Sequence, residues 1–199
     1  GVARWAGLAA RLAPLASALD AKACALIAEA ATFDEGAILL SAGHYRGHDP
    51  EVRVQALAAI LVAVSGAGLT ADSDQLERLD RAIAEGAARG ATLGGARLAA
   101  RADGRLQFNR DPGAVLGRAG GAPLAALKLR QNAAIIWDGR LALTAAEDGW
   151  EAAPGADACA PVLRKPGENA ALTLGEATQR GLVAAEWLLQ ERIAHLLWR

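Results

Sequence analysis

Thr92-Leu93-Gly94-Gly95-Ala96-Arg97-Leu98-Ala99-Ala100, then Asp103-Gly104, then Arg105-Leu106-Gln107-Phe108-Asn109: this stretch, inside Arg89 to Arg110, reads as a β-hairpin that is basic along most of its length. Asp-Gly is a turn dipeptide able to adopt positive φ, and the runs beside it have strand length. Side chains alternate across a strand, so Leu106 and Phe108 take one face and Arg105, Gln107 and Asn109 the other. Leu98 and Ala100 are placed opposite Arg97, Ala99 and Arg101 by the same rule. One face is core and the other is charged.

The hairpin lies where the positive charge of the chain is concentrated. Residues 1–85 carry 7 basic and 11 acidic side chains, residues 86–140 carry 9 and 3, and residues 141–199 carry 5 and 8, although the whole chain sums to −1. Of the 21 basic residues only three are lysine, so the positive groups are mostly guanidinium forks, which suit phosphate oxygens and base stacking. A GC-rich coding sequence enriches arginine in the same way.

At 199 residues and 53% apolar composition the chain can bury a core, one made largely of alanine because only seven side chains are Phe or Trp. No apolar run approaches the roughly 20 residues of a membrane span, which predicts a cytoplasmic protein without membrane contact. The absence of methionine in a chain beginning Gly1-Val2 predicts either a piece excised from a longer polypeptide or a chain carrying an added tag. Cys24 and Cys159 are far apart and read as buried free thiols.

Working outward toward the N-terminus, Leu8, Leu12, Leu15, Leu19 and Leu26 follow one helical face, with Pro14 predicting a kink or two helices meeting near Ala13. Phe33 to Leu40 is a short apolar segment before a loop at Gly43, Gly47 and Pro50. That loop holds His44 and His48, four apart; the flanking glycines argue against a shared helical face, so it reads as exposed loop rather than metal site. Asp49-Pro50-Glu51 predicts a helix start with Asp49 capping, running to about Val64 and ending at Ser65-Gly66. Asp74-Gln75-Leu76-Glu77 predicts the next start, and Gly86 and Gly90 the stop.

Toward the C-terminus, Gly117-Arg118-Ala119-Gly120-Gly121 reads as a flexible connector. Asp138-Gly139 predicts a second hairpin between Ala134–Trp137 and Arg140–Leu143, and Glu147-Asp148-Gly149 a third turn. Thr173-Leu174-Gly175-Glu176 is a capping box before a helix with Leu182, Leu189, Ile193 and Leu196 in its stripe. Glu186 falls in that stripe, as an arginine partner or snorkelling to the helix edge, while Trp187 and Trp198 lie off it. The expected class is therefore α+β: an N-terminal α-helical bundle over 1–89, then an α+β domain over 90–199 with basic hairpins at 91–144 forming a small antiparallel β-sheet, covered by a C-terminal helix at 173–198.

In this order the motifs resemble the C-terminal region of bacterial tRNA(Ile)-lysidine synthase. The residues carrying the resemblance are Leu57 to Gly66, Leu76-Glu77-Arg78-Leu79, Gly90-Ala91-Thr92-Leu93-Gly94-Gly95, Gly104-Arg105-Leu106, Asn109-Arg110-Asp111-Pro112 and Trp137-Asp138-Gly139-Arg140. The resemblance implies an enzyme that uses ATP, with Mg, to join lysine to the wobble cytidine of an isoleucine tRNA. It assigns that chemistry to an N-terminal ATP-pyrophosphatase domain with a Ser-Gly-Gly-x-Asp-Ser phosphate loop, a motif this sequence lacks. The chain would retain the part that holds the tRNA body, with no catalytic residue and no cofactor of its own.

The first expectation is thus a tRNA-contacting module using Arg89, Arg97, Arg101, Arg105, Arg110, Arg130 and Arg140 on phosphates, partnered by tRNA and by the missing catalytic domain. The competing expectation is a non-catalytic protein-interaction or scaffold domain whose arginines pair with the acidic helical half. A stand-alone enzyme has little support, because Ser17, Ser41, Ser65 and Ser73 have no motif around them and the three histidines no evident partner.

Overall fold

A computed structural model describes residues 2–66, 71–117, 122–155, 160–168 and 170–197, with side chains from residue 10 onward. Cys159, Trp198 and residues 118–121 of the Gly-rich connector lie outside the described residues. Those that are described form an α+β protein, with helices packed on three antiparallel sheets. None of these helices is long and apolar enough to cross a membrane.

Helix α1 (Val2–Ala30) runs through Pro14 as one element. Two separate helices meeting near Ala13 are therefore not found; residues 10–18 are exposed, where water can satisfy the carbonyl that proline leaves without a donor. The apolar segment after it is a hairpin, β1 (Ala31–Asp34) and β2 (Ala37–Ser41), turning on Glu35 and Gly36, both at positive φ. Short α2 (Ala42–Arg46) follows, then α3 (Pro50–Ser65) and α4 (Ser73–Ala84). Asp49 sits at the N-cap of α3 but makes no side-chain cap bond, so Pro50 at N1 is what marks that start. The cap of α4 is Asp72, not Asp74: Asp72 and Gln75 form the reciprocal box.

The opening stretch folds as three strands rather than two. Gly94 and Gly95, both at positive φ, divide β3 (Gly90–Leu93) from β4 (Ala96–Ala100), and β5 (Arg105–Arg110) returns after Gly104. These strands and the earlier hairpin make one five-stranded sheet in the order β1-β2-β5-β4-β3, with Ile38 opposite Phe108 and Leu40 opposite Leu106. The sheet therefore crosses the boundary expected at residues 89–90. Ile38, Leu40, Leu98, Leu106 and Phe108 join Leu26, Leu57, Ile60 and Ile83 in one core, each side chain removed from water contributing about 1.5–3 kcal/mol.

After α5 (Pro112–Val115) the chain builds a second core from two small sheets. β6 (Leu127–Lys128), β9 (Glu151–Pro154), β10 (Pro161–Arg164) and β11 (Leu172–Thr173) form one, and β7 (Ala134–Trp137), β8 (Leu141–Ala145) and β12 (Val183–Trp187) form the other. The three Asp-Gly turns thus serve different ends: one in the five-stranded sheet, one between β7 and β8, and one joining the two small sheets. Thr173 caps α6 (Leu174–Gln179) through the expected box with Glu176. The long helix expected over 173–198 is interrupted, because Gly181 at φ +68 ends the helical run and Val183 to Trp187 is a strand. Glu186 is consequently an exposed strand residue opposite Ala142, not a member of a helical stripe. Helix α7 (Leu189–Leu197) then returns to the first core, burying Leu189, Ile193 and Leu197 there.

Candidate nucleic-acid interface

The antiparallel register brings three of the expected arginines to one end of the five-stranded sheet. Arg105 opens β5 opposite Ser41, Arg101 follows the last residue of β4, and Arg89 precedes β3, its carbonyl accepting from the Ala100 N–H at 3.1 Å. Each is held by a local hydrogen bond. Arg105 donates from Nε and Nη2 to Asp103 Oδ2 at 2.9 and 2.7 Å, Arg101 Nη1 donates to Gln107 Oε1 at 2.8 Å, and Arg89 Nη1 donates to the Gly86 carbonyl at 3.2 Å. The hydrogen bonds from Arg105 hold Asp103 below the usual carboxylate range, so this turn keeps its negative charge against two neighbouring cations.

Arg97 lies on the sheet face opposite Leu106 and Phe108, in register with Thr92 on one side and Asn109 on the other, and is exposed. Arg130 is exposed after β6 and belongs to the second-core region rather than to this sheet. Arg89, Arg101 and Arg105 are therefore brought together, while Arg97 and Arg130 stand apart from them.

Arg110 and Arg140 are a correction to the expected set: they are 9% and 0% exposed, and no phosphate can reach them. Both point at Asp138, whose side chain is 5% exposed. Arg110 donates from Nε and Nη2 to its two carboxylate oxygens at 3.0 and 3.2 Å, and Arg140 Nε donates to Oδ2 at 2.8 Å. The Arg140 guanidinium also lies 5.6 Å from the ring centroids of both Trp137 and Trp187. Arg192 of α7 reaches the same turn, donating to the Gly139 carbonyl at 2.6 Å and to the Val62 carbonyl at 2.9 Å. Burial pulls the Arg192 guanidinium below its ordinary value, opposed by Asp138.

This junction ties α3, β5, the β7–β8 turn and α7 together, and it accepts no bulk. Gly66 ends α3 at φ +74, and a side chain there would meet the Asp138 carbonyl. At Gly95 a Cβ would lie 2.6 Å from Arg110 Nη1, which donates to the Gly95 carbonyl. No local signal marks Asp138 in the sequence, since Asp-Gly at a hairpin reads as a solvated turn.

A second buried polar group lies between α2, α3 and α4. Arg53 donates to both oxygens of Asp80 at 2.9 Å, and Tyr45 Oη donates to Asp80 Oδ1 at 2.7 Å. Burial, then the hydrogen bond to Asp80, pushes the Tyr45 phenol far above its ordinary value. The cleft beside it, about 730 Å³, is lined by Glu51, Glu77 and Arg81 together with Arg53 and Asp80, the last two already bonded to each other. His44 falls on α2 with its Nδ1 2.9 Å from Ser41 Oγ, and His48 lies 3.9 Å from Glu29. Among the described residues no group of three His, Cys, Asp or Glu side chains is arranged to hold a metal ion. Comparison with protein-family models, with curated proteins and with solved structures found no match.

Proposed function

We propose that this chain is the tRNA-contacting C-terminal part of a tRNA(Ile)-lysidine synthase, a cytoplasmic enzyme that uses ATP and Mg in a separate N-terminal domain to join lysine to the wobble cytidine. The observation carrying the RNA-binding part of this reading is the gathering of Arg89, Arg101 and Arg105 at one exposed sheet end, where Asp103 pairs with Arg101 and Arg105. The family part rests on the residues that carry the resemblance. Guanidiniums so placed hold phosphates and orient an RNA without reading its sequence, and choice of the anticodon falls to the catalytic domain. With Arg110 and Arg140 inside, the contacts come from Arg89, Arg97, Arg101, Arg105 and Arg130.

The alternative is a non-catalytic interaction or scaffold domain whose arginines are neutralised by the acidic helical half. Weighing against that form of it, the ion pairs of Arg101 and Arg105 among the described residues run to Asp103 in their own hairpin, and none runs to a carboxylate of residues 1–89.

The test is fluorescence anisotropy of labelled isoleucine tRNA over a salt series, beside the variant with Arg97, Arg101 and Arg105 changed to alanine. The proposal expects binding that falls with salt and is weaker in the variant, the slope of log K against log salt dropping by roughly 0.7–0.9 for each phosphate the variant no longer neutralises. No binding by the unaltered chain at low salt would overturn it.

A further inference from the structure

We propose that the phosphate track of this surface runs over the end of the five-stranded sheet and onto α2, with Arg46 as a phosphate-binding residue; this rests on the RNA-binding reading above. Arg46 is 43 residues upstream of Arg89 in a segment that reads as a histidine loop, yet the fold sets the two side by side. Ser41, the register partner of Arg105, is the residue that caps α2, so the last turn of α2 follows directly from this end of the sheet. Arg46 Nε donates to the Ile83 carbonyl at 3.2 Å, and Arg89 Nη1 donates to the carbonyl of Gly86, three residues on. Arg46 Nη2 lies 3.1 Å from where a Gly86 Cβ would stand, so the two guanidiniums flank one glycine at the C-terminal end of α4.

Backbone pairing leads from there to the end of the sheet. The Arg89 carbonyl pairs with the Ala100 N–H, and the next residue is Arg101, whose Nε is 3.6 Å from the same Asp103 oxygen that holds Arg105. Four arginines thus follow one another as Arg46, Arg89, Arg101 and Arg105, all but the half-buried Arg105 exposed. Arg46 and Arg89 each use one donor on a backbone carbonyl, and their remaining donors have no partner among the described residues. A guanidinium fixed by one bond and open on the rest loses little freedom when it takes a phosphate. The carboxylates facing this end are Asp103, already held by Arg105, and exposed Glu85 at the C-cap of α4.

The test uses the full chain, the same labelled isoleucine tRNA and the same salt series, with Arg46→Ala and Arg46→Lys. The track expects Arg46→Ala to lower affinity by up to roughly tenfold near 0.1 M salt and to flatten the slope by about 0.7–0.9, the effect of one phosphate contact. Arg46→Lys should restore most of the slope, which separates charge from any structural role of the bond to Ile83. If the Arg97/Arg101/Arg105 variant binds weakly while Arg46→Ala keeps the full slope, the track is wrong and the RNA reading stands. Absence of salt-sensitive binding in the unaltered chain would overturn both.

Discussion

The same side chain does opposite work at the two ends of the five-stranded sheet. At the end carrying Arg101 and Arg105 the guanidiniums are largely open to solvent and lean on one exposed turn aspartate; at the other, Arg110 closes β5 and turns inward to share Asp138 with Arg140. In water such pairs are screened and contribute little. Inside, the geometry has to be good, because removing one partner strands a charge where nothing else can solvate it. What distinguishes these arginines is therefore the register that delivers them to an edge or to a junction, not their type or their spacing in the chain.

That contrast is sharpest at Asp138. Asp138→Ala leaves Arg110 and Arg140 facing each other without the carboxylate, and denaturant unfolding should show a loss of about 3–5 kcal/mol. A loss below about 1 kcal/mol would place the junction with the surface pairs and break the comparison. An intermediate effect is expected at the second buried group: Tyr45→Phe removes a hydrogen bond to a charged acceptor, costing roughly 1.5–3 kcal/mol. It should also alter the alkaline limb of stability. The folded chain keeps the Tyr45 proton to higher pH than the unfolded chain does, so this contribution is complete below the ordinary tyrosine value of 10.0 and is lost as pH rises above it. Unfolding midpoints measured from about pH 8 to 11 should fall less steeply for Tyr45→Phe; an identical fall would contradict the role given to this phenol. The smallest effect belongs to the exposed set, where Arg97→Ala should change stability by no more than about 0.5 kcal/mol in the same denaturant measurement. A larger loss would mean that Arg97 has a structural partner.

Much of the local structure was legible. The Leu106 and Phe108 alternation, the Asp138-Gly139 turn and the Thr173 capping box depend on a few adjacent residues, and each appears in the fold. What could not be read depends on partners distant in sequence. Glu35-Gly36 carries little turn signal, and only pairing with β5 shows why Ile38 and Leu40 form a strand. Gly181 was a readable stop that the continuing Leu182, Leu189 and Ile193 spacing concealed, because Val183 to Trp187 satisfies a strand pattern as well. Within the candidate interface, Arg89, Arg101 and Arg105 were visible as a basic cluster, but Arg46 was not, since only the capping of α2 by Ser41 brings it alongside. Arg140 was misassigned for the converse reason, since a hairpin tip usually faces water and here it is covered by α3 and α7, and Arg110, at the end of β5, is drawn in by the same Asp138.

Helix α7 completes a core begun by α1 and α3, and the Arg192 to Val62 hydrogen bond spans 130 residues. Between the two lies the second core, in which Trp137, Leu141, Leu143, Trp150, Leu163 and Val183 pack together. During synthesis this second core can therefore condense while the first core still lacks one wall. The pairing of β8 with β12 ends only one residue before α7 begins, so once that pairing has formed the loop left to close is short and the entropy cost of seating α7 is smaller.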